Sequence, residues 1–270
     1  MNKPKKLYKY EQVSVQSLLN LKNQVMHFGA PANFNDPYDC AIKAKVLEPS
    51  DEEVERFRNK YSKIDDIPLV TRKNLETLHK SDLKQWIVKI AQTSINKIAE
   101  ENIKKRGVTC FSEVNNELLM WSHYANKYTG FCMEFDTSYE PFSRVRKVSY
   151  RNSMPALSIT DALLNDNYDQ FLELYCIKSE AWEYEREWRC IHNEASKNWH
   201  YEPESLTAVY FGPEIDRGSL EIICLILQGQ NPNVTFWQGK RSNEKFSVEF
   251  KIFEYFSHLK AKELGAIPNE

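Results

Sequence analysis

The sequence predicts an α+β fold: a single domain over residues 1–270, with a central, mostly antiparallel sheet and helical insertions at about residues 50–106 and 155–178. Three observations carry that expectation. Short runs rich in β-branched and aromatic residues recur along the chain, bounded by Gly, Pro, Asn or Asp. Two longer stretches between them carry apolar residues at helical spacing. A chain of 270 residues can bury a sizeable core, and its longest apolar run, Ile222–Leu227, is far too short to cross a bilayer.

Taken in order, Leu7–Tyr10 reads as a strand, and Ser14 as the cap of a helix carrying Val15, Leu18, Leu19 and Leu21. Gln24–Phe28 is the next strand. It runs into Ala30–Pro37, where prolines and Asx residues predict an ordered loop. From Pro49 to Arg106 the apolar residues Val54, Phe57, Leu83, Trp86, Ile87, Ile90, Ile95 and Ile98 recur at helical spacing, with Gly107 as a C-cap. Val108–Ser112 is a strand, Glu117–Asn126 a short helix and Gly130–Phe135 another strand. Leu157, Leu163, Leu164, Phe171, Leu172 and Leu174 define the second helical stretch. Strands follow at Glu187–His192, Ala208–Phe211 and Phe246–Phe253, and Gly218–Leu227 fits a helix or a buried strand. Gly229–Asn233 is a loop, and no repeat or low-complexity tract interrupts the chain.

Lys and Arg number 36 against 38 Asp and Glu, a net charge of -2, so no bulk field recruits a polyanion. The six cysteines are widely spaced without a CxxC pair, so no metal site is expected from them. Five sit among apolar neighbours, where a thiol packs as a small hydrophobe, which fits a reducing cytoplasm. No apolar stretch follows the basic start Lys3-Pro4-Lys5-Lys6, so a cytoplasmic chain without membrane insertion is expected.

Three clusters have the side chains for chemistry. Phe34-Asn35-Asp36-Pro37-Tyr38-Asp39 gathers two carboxylates, an amide and a phenol, and Asn-Asp-Pro also builds Asx turns that cap backbone groups. Met120-Trp121-Ser122-His123-Tyr124-Ala125 offers an imidazole that could serve as a base or a ligand-binding donor, or a packed, hydrogen-bonded histidine. Trp182 through Arg189 is the most unusual. Extended, it sets Glu183, Glu185, Glu187 and Arg189 on one face and Trp182, Tyr184, Arg186 and Trp188 on the other; helical, it pairs Glu185 with Arg189 on an ordinary surface.

Leu7-Tyr8-Lys9-Tyr10, the Phe34–Asp39 loop, Cys110-Phe111-Ser112, Trp121–Ala125, Gly130-Phe131 and Trp182–Arg189 together resemble a widespread bacterial family known only as a domain of unknown function, over residues 7–212. A more remote resemblance is to ADP-ribosyltransferases, whose site combines a basic or His residue on an early strand, a Ser/Thr-rich strand and a later Glu-x-Glu strand. That resemblance sets Lys9 or Tyr10 at the first position, Thr109–Ser112 at the second and Glu185-Arg186-Glu187 at the third. Lys9 stands where Arg or His is usual, and Cys110-Phe111 interrupts the Ser/Thr strand. It implies NAD as the ligand, with Glu185, Glu187 and His123 catalytic, and Tyr8, Lys9, Tyr10, Asn35, Asp36, Ser112, Tyr124 and Arg189 binding NAD. Ser112 would orient the nicotinamide ribose, and Tyr8, Tyr10, Phe34 and Tyr38 would wall the nicotinamide pocket. A glutamate would stabilise the oxocarbenium-like charge as nicotinamide leaves. Related families act as toxins or in phage defence, which implies a macromolecular target, protein or nucleic acid, and a restraining antitoxin or regulatory partner.

Two alternatives stand beside it. Asp36, Asp39, Glu185 and Glu187 would hold Mg²⁺ in a metal-dependent nuclease with Lys178 near the scissile phosphate, although no Asp/Glu-x-Lys follows the acidic strand. A non-catalytic interaction module would use the six Trp and fourteen Tyr for packing and partner binding.

Overall fold

The computed structural model describes residues 3–40, 44–165, 167 and 169–265; the side chains of Ile98, Asn102 and Asp161 also lie outside the described residues. In chain order the strands are β1 (Lys6–Glu11), β2 (Val25–Phe28), β3 (Lys45–Val46), β4 (Gly107–Ser112), β5 (Phe131–Asp136), β6 (Arg146–Lys147), β7 (Ser149–Arg151), β8 (Ala156–Leu157), β9 (Ile177–Ser179), β10 (Glu187–His192), β11 (Lys197–His200), β12 (Leu206–Phe211), β13 (Thr235–Arg241) and β14 (Val248–Phe253). The helices are α1 (Val15–Lys22), α2 (Asp51–Tyr61), α3 (Leu69–Thr77), α4 (Lys80–Lys105), α5 (Leu118–Tyr124), α6 (Ile159–Asn165), α7 (Asp169–Glu173), α8 (Arg217–Gln228) and α9 (His258–Glu263). The architecture is α+β, and among the described residues no helix is long and apolar enough to cross a membrane.

The chain divides into two compact units. The first takes its residues from Met1–Gly29, Gly107–Val148 and Ala181–Glu270, the second from Ala30–Arg106 and Ser149–Glu180.

The first unit is built on an eight-stranded sheet in the order β14-β13-β12-β5-β1-β4-β10-β6. Its pairings are antiparallel except for β12 with β13, which run parallel and are joined through α8. An Asp216 carboxylate accepts from the Ser219 N–H at 2.9 Å and starts α8 as a helix, which decides between helix and buried strand for that apolar stretch. Ser14 and Ser17 form a reciprocal capping box at the start of α1. One face of the sheet carries Leu7, Phe111, Met133, Phe135, Val209, Phe211 and Phe236, which pack with Leu21 of α1 and Ile223, Cys224 and Leu227 of α8. Strand residues alternate between faces, so the other face carries Tyr8, Tyr10, Ser112, Cys132, Glu134, Glu187, Arg189 and Tyr210. Tyr10, Cys132 and Tyr210 pack there against Met120, Trp121 and Ala125 of α5.

The expected C-cap at Gly107 is corrected: this residue opens β4. A Cβ there would meet the Glu194 carbonyl oxygen at 2.6 Å and the Phe28 Cβ at 2.7 Å, so glycine is required by close approach.

The second unit gathers both helical stretches. Ser50 and Glu53 form a capping box at α2, with Asp51, Glu52 and Glu53 in its first turn and Arg58 and Lys60 in its last, each sign matching the helix dipole. Val54, Phe57, Leu75, Leu83, Ile87 and Ile95 pack with Leu157, Ile159, Leu174 and Ile177. Parallel pairs β3/β8 and β7/β9 complete the unit.

Candidate functional site

Glu187, Ser112 and Tyr8 lie opposite one another on β10, β4 and β1, and Tyr8 in turn opposes Glu134 on β5. Four strands thus set one row of polar side chains across the sheet.

The Trp182–Arg189 segment is neither strand nor α-helix throughout. Glu180–Glu185 forms 3-10 turns, Arg186 adopts a left-handed backbone (φ 45), and β10 begins at Glu187. The expected four-residue face therefore shrinks to Glu187 and Arg189. A non-glycine residue at positive φ persists only when its surroundings hold it. Here the Glu113 N–H donates to the Arg186 carbonyl at 3.1 Å, and the Ser112 hydroxyl donates to the Glu185 carbonyl at 2.7 Å.

Glu185 is 2 % exposed and Glu187 3 % exposed, so both carboxylates sit where an uncompensated charge is costly. The Tyr124 hydroxyl donates to Glu185 Oε1 at 2.6 Å. The fully buried Arg189 donates to Glu187 through Nε at 2.7 Å and Nη2 at 2.8 Å, a two-point pair that fixes both side chains. Ser112, also fully buried, spends its proton on Glu185 and accepts from the Val114 N–H at 3.2 Å. It acts as a strut for the turn that carries Glu185.

His123, exposed on α5, lies 3.0 Å from the Tyr184 hydroxyl through Nδ1, within an aromatic group that includes Tyr124 and Trp182. Tyr10 donates to the Val114 carbonyl at 2.9 Å and stacks edge-on against Trp121. Lys9 is on the opposite face of the sheet from Tyr8, where its ammonium approaches the Cys110 carbonyl at 3.4 Å and lies over the Phe111 ring. Lys9 therefore does not join the row.

Sequence reasoning missed Glu134. Its carboxylate, 2 % exposed, accepts from Lys6 Nζ at 2.5 Å, Thr207 Oγ1 at 2.7 Å and the Tyr210 hydroxyl at 2.8 Å. Burial pushes this carboxyl up, but hydrogen bonds from Lys6, Thr207 and Tyr210 outweigh it and hold its pKa below the ordinary Glu value. Burial, then the charge of Glu134 beside it, pushes the Tyr8 phenol far up, so Tyr8 stays protonated. The signal was present in Cys132-Met133-Glu134-Phe135: one carboxylate inside an apolar strand.

In the second unit the Phe34–Asp39 loop realises the turn reading. Asp36 Oδ1 accepts from the Tyr38 N–H at 2.9 Å, while Asn35 and Tyr38 are exposed. Asp39 and Lys178 form a buried ion pair at 3.3 Å, each with a side chain 3 % exposed. Among the described residues no three His, Cys, Asp or Glu side chains group so as to hold a metal ion.

With this geometry in place, the comparison with known families covers part of the site, leaving Tyr8 and Ser112 outside the matched stretch. Residues 120–190 match the family described as protein of unknown function, DUF2971. The matched stretch contains α5 from Met120 onward, β5, the 3-10 turns and the start of β10, and so His123, Tyr124, Glu134, Glu185, Glu187 and Arg189. No curated protein and no solved structure matches the chain.

Proposed function

We propose that the polar sheet face of the first unit cleaves NAD in the manner of an ADP-ribosyltransferase and passes ADP-ribose to a macromolecule. The observation that carries this reading is the register of Tyr8, Ser112 and Glu187 across three adjacent strands, with the Glu185 carbonyl tied to Ser112. The early strand, the serine strand and the Glu-x-Glu strand of the resemblance thus meet in one row, represented on β1 by Tyr8.

In the reaction the bond between ribose C1′ and the nicotinamide nitrogen breaks, and its electron pair leaves with nicotinamide. An acceptor lone pair then forms the new bond to C1′ and the acceptor loses its proton. A preorganised carboxylate beside the developing positive charge lowers the barrier because it interacts more strongly with the transition state than with the ground state. Glu185 is assigned that role, with Glu187 held by its two-point pair with Arg189. Tyr124 fixes the Glu185 carboxylate, and Tyr8 and His123 offer an aromatic surface and a hydrogen-bonding edge. A toxin or phage-defence role with a restraining partner, in a reducing cytoplasm, accompanies the reading; the six cysteines, none of them in a disulfide among the described residues, are in keeping with it.

A second reading, a non-catalytic interaction module, is favoured by one observation: the Ser112 hydroxyl holds the backbone of the turn, and Glu187 and Arg189 hold each other. NAD labelled in its adenylate half, incubated with the protein and cell extract, separates the two. Label bound covalently to a macromolecule, with NAD raising the melting temperature, supports transfer. Neither label nor thermal shift points to the module.

A further inference from the structure

β14 ends the eight-stranded sheet, with β13 on one side and, among the described residues, no strand on the other. The Ser242 N–H donates to the Ser247 carbonyl at 3.0 Å, just beyond the ladder that runs from Arg241 opposite Val248 to Phe236 opposite Phe253. Hydrogen-bonded and non-bonded pairs alternate along an antiparallel ladder. Glu249, Lys251 and Phe253 therefore turn their backbone groups toward β13, and Val248, Phe250 and Ile252 turn theirs to the open edge. The outward backbone groups of these three residues, along a six-residue edge strand, are a template for another strand.

We propose that the occupant is β14 of a second copy of this chain, the two sheets joining edge to edge about a twofold axis at Phe250. The charges select this partner and this register. In antiparallel self-pairing about Phe250, Phe250 opposes its own copy, Val248 opposes Ile252, and Glu249 opposes Lys251 on both sides of the axis. The neighbouring registers that still match outward-facing backbone groups oppose Glu249 to Glu249 or Lys251 to Lys251, which is unfavourable directly across a ladder. An edge guarded against pairing carries an uncompensated charge that any second copy would meet and repel. Here the two exposed charges are opposite in sign and symmetric about Phe250. Lys240, opposite Glu249 on β13, would place each Glu249 between two lysines. On the other face pairing would cover Ile252, which is 53 % exposed. The resulting contact is isologous and closes at two copies.

Sedimentation velocity of the full chain over a concentration series, with circular dichroism as a check of folding, tests this. The wild type is expected at twice the monomer mass. Glu249→Lys and Lys251→Glu are each expected at monomer mass, because each sets like charges opposite one another. The double reversal restores the dimer, and so does an equimolar mixture of the two single variants, in which every opposed pair again has opposite signs. A wild type that stays monomeric throughout, or a dimer that survives both single reversals, overturns the proposal.

Discussion

The hydroxyl of Tyr124 on α5 donates to the carboxylate of Glu185 at 2.6 Å, joining two residues 61 positions apart. The carboxylate's backbone is held independently, through the Ser112 hydroxyl. Tyr124→Phe removes one donor and leaves the ring, so we expect a folded protein destabilised by about 1–3 kcal/mol in urea unfolding, the scale of losing a hydrogen bond to a buried carboxylate. In a double-mutant cycle with Glu185→Gln the two changes should be non-additive. Additive effects would mean that the contact does not couple the residues.

Arg189 and Glu187 form a buried two-point pair. Arg189→Met should cost about 3–5 kcal/mol, because it leaves the Glu187 charge buried without its guanidinium. Arg189→Lys should recover only part of this, since an ammonium lacks the planar fork. Equal stability of the lysine variant and wild type would contradict the geometry assigned to the pair.

The strands were legible wherever an apolar run is bounded by turn residues, as in Leu7–Tyr10, Val108–Ser112 and Phe131–Phe135. β13 was not: Gln238, Gly239 and Lys240 break its alternation, and its place depends on parallel pairing with β12 and on the 2.6 Å approach of a Gly239 Cβ position to the Phe211 carbonyl oxygen. The Trp182–Arg189 segment misled because local period decides between strand and helix, while the bonds that fix the turn come from Ser112 and Glu113. Glu134 was visible as a lone carboxylate, yet its partners Lys6, Thr207 and Tyr210 arrive from β1 and β12. The composition shift at residues 50–106 marked the helices. Their gathering with residues 149–180 into a separate unit rests on long-range packing between Val54, Phe57 and Leu157 that periodicity does not encode.

Glu134 makes stability depend on pH. Its folded pKa lies below the ordinary value of 4.5, so its contribution is fully present above that value and is lost as pH falls through the folded pKa. Tyr210→Phe removes one of the bonds that lower it and narrows the gap between folded and unfolded states. Unfolding free energies at pH 6 and at successively lower pH below 4.5 should therefore fall less steeply in the variant than in wild type. Parallel curves would remove Glu134 from the account of acid stability.

Gly107→Ala tests the close approach at the start of β4. The added methyl must displace the Glu194 carbonyl or the Phe28 side chain, both within 2.7 Å of the Cβ position. A loss of about 1–3 kcal/mol is expected from such overpacking. A neutral or stabilising effect would contradict the close approach.

The central claim is that Glu185 stabilises positive charge on the ribose of NAD, and nicotinamide release measures it most directly. With wild-type protein and Glu185→Gln at equal folded concentration, we expect release above the protein-free rate for wild type. For the variant we expect a fall of about 100-fold or more, the scale of losing one electrostatic stabiliser, with NAD-induced thermal stabilisation retained. Release unchanged in a folded Glu185→Gln protein, or no release from wild type supplied with NAD and a cell extract containing acceptors, would contradict it.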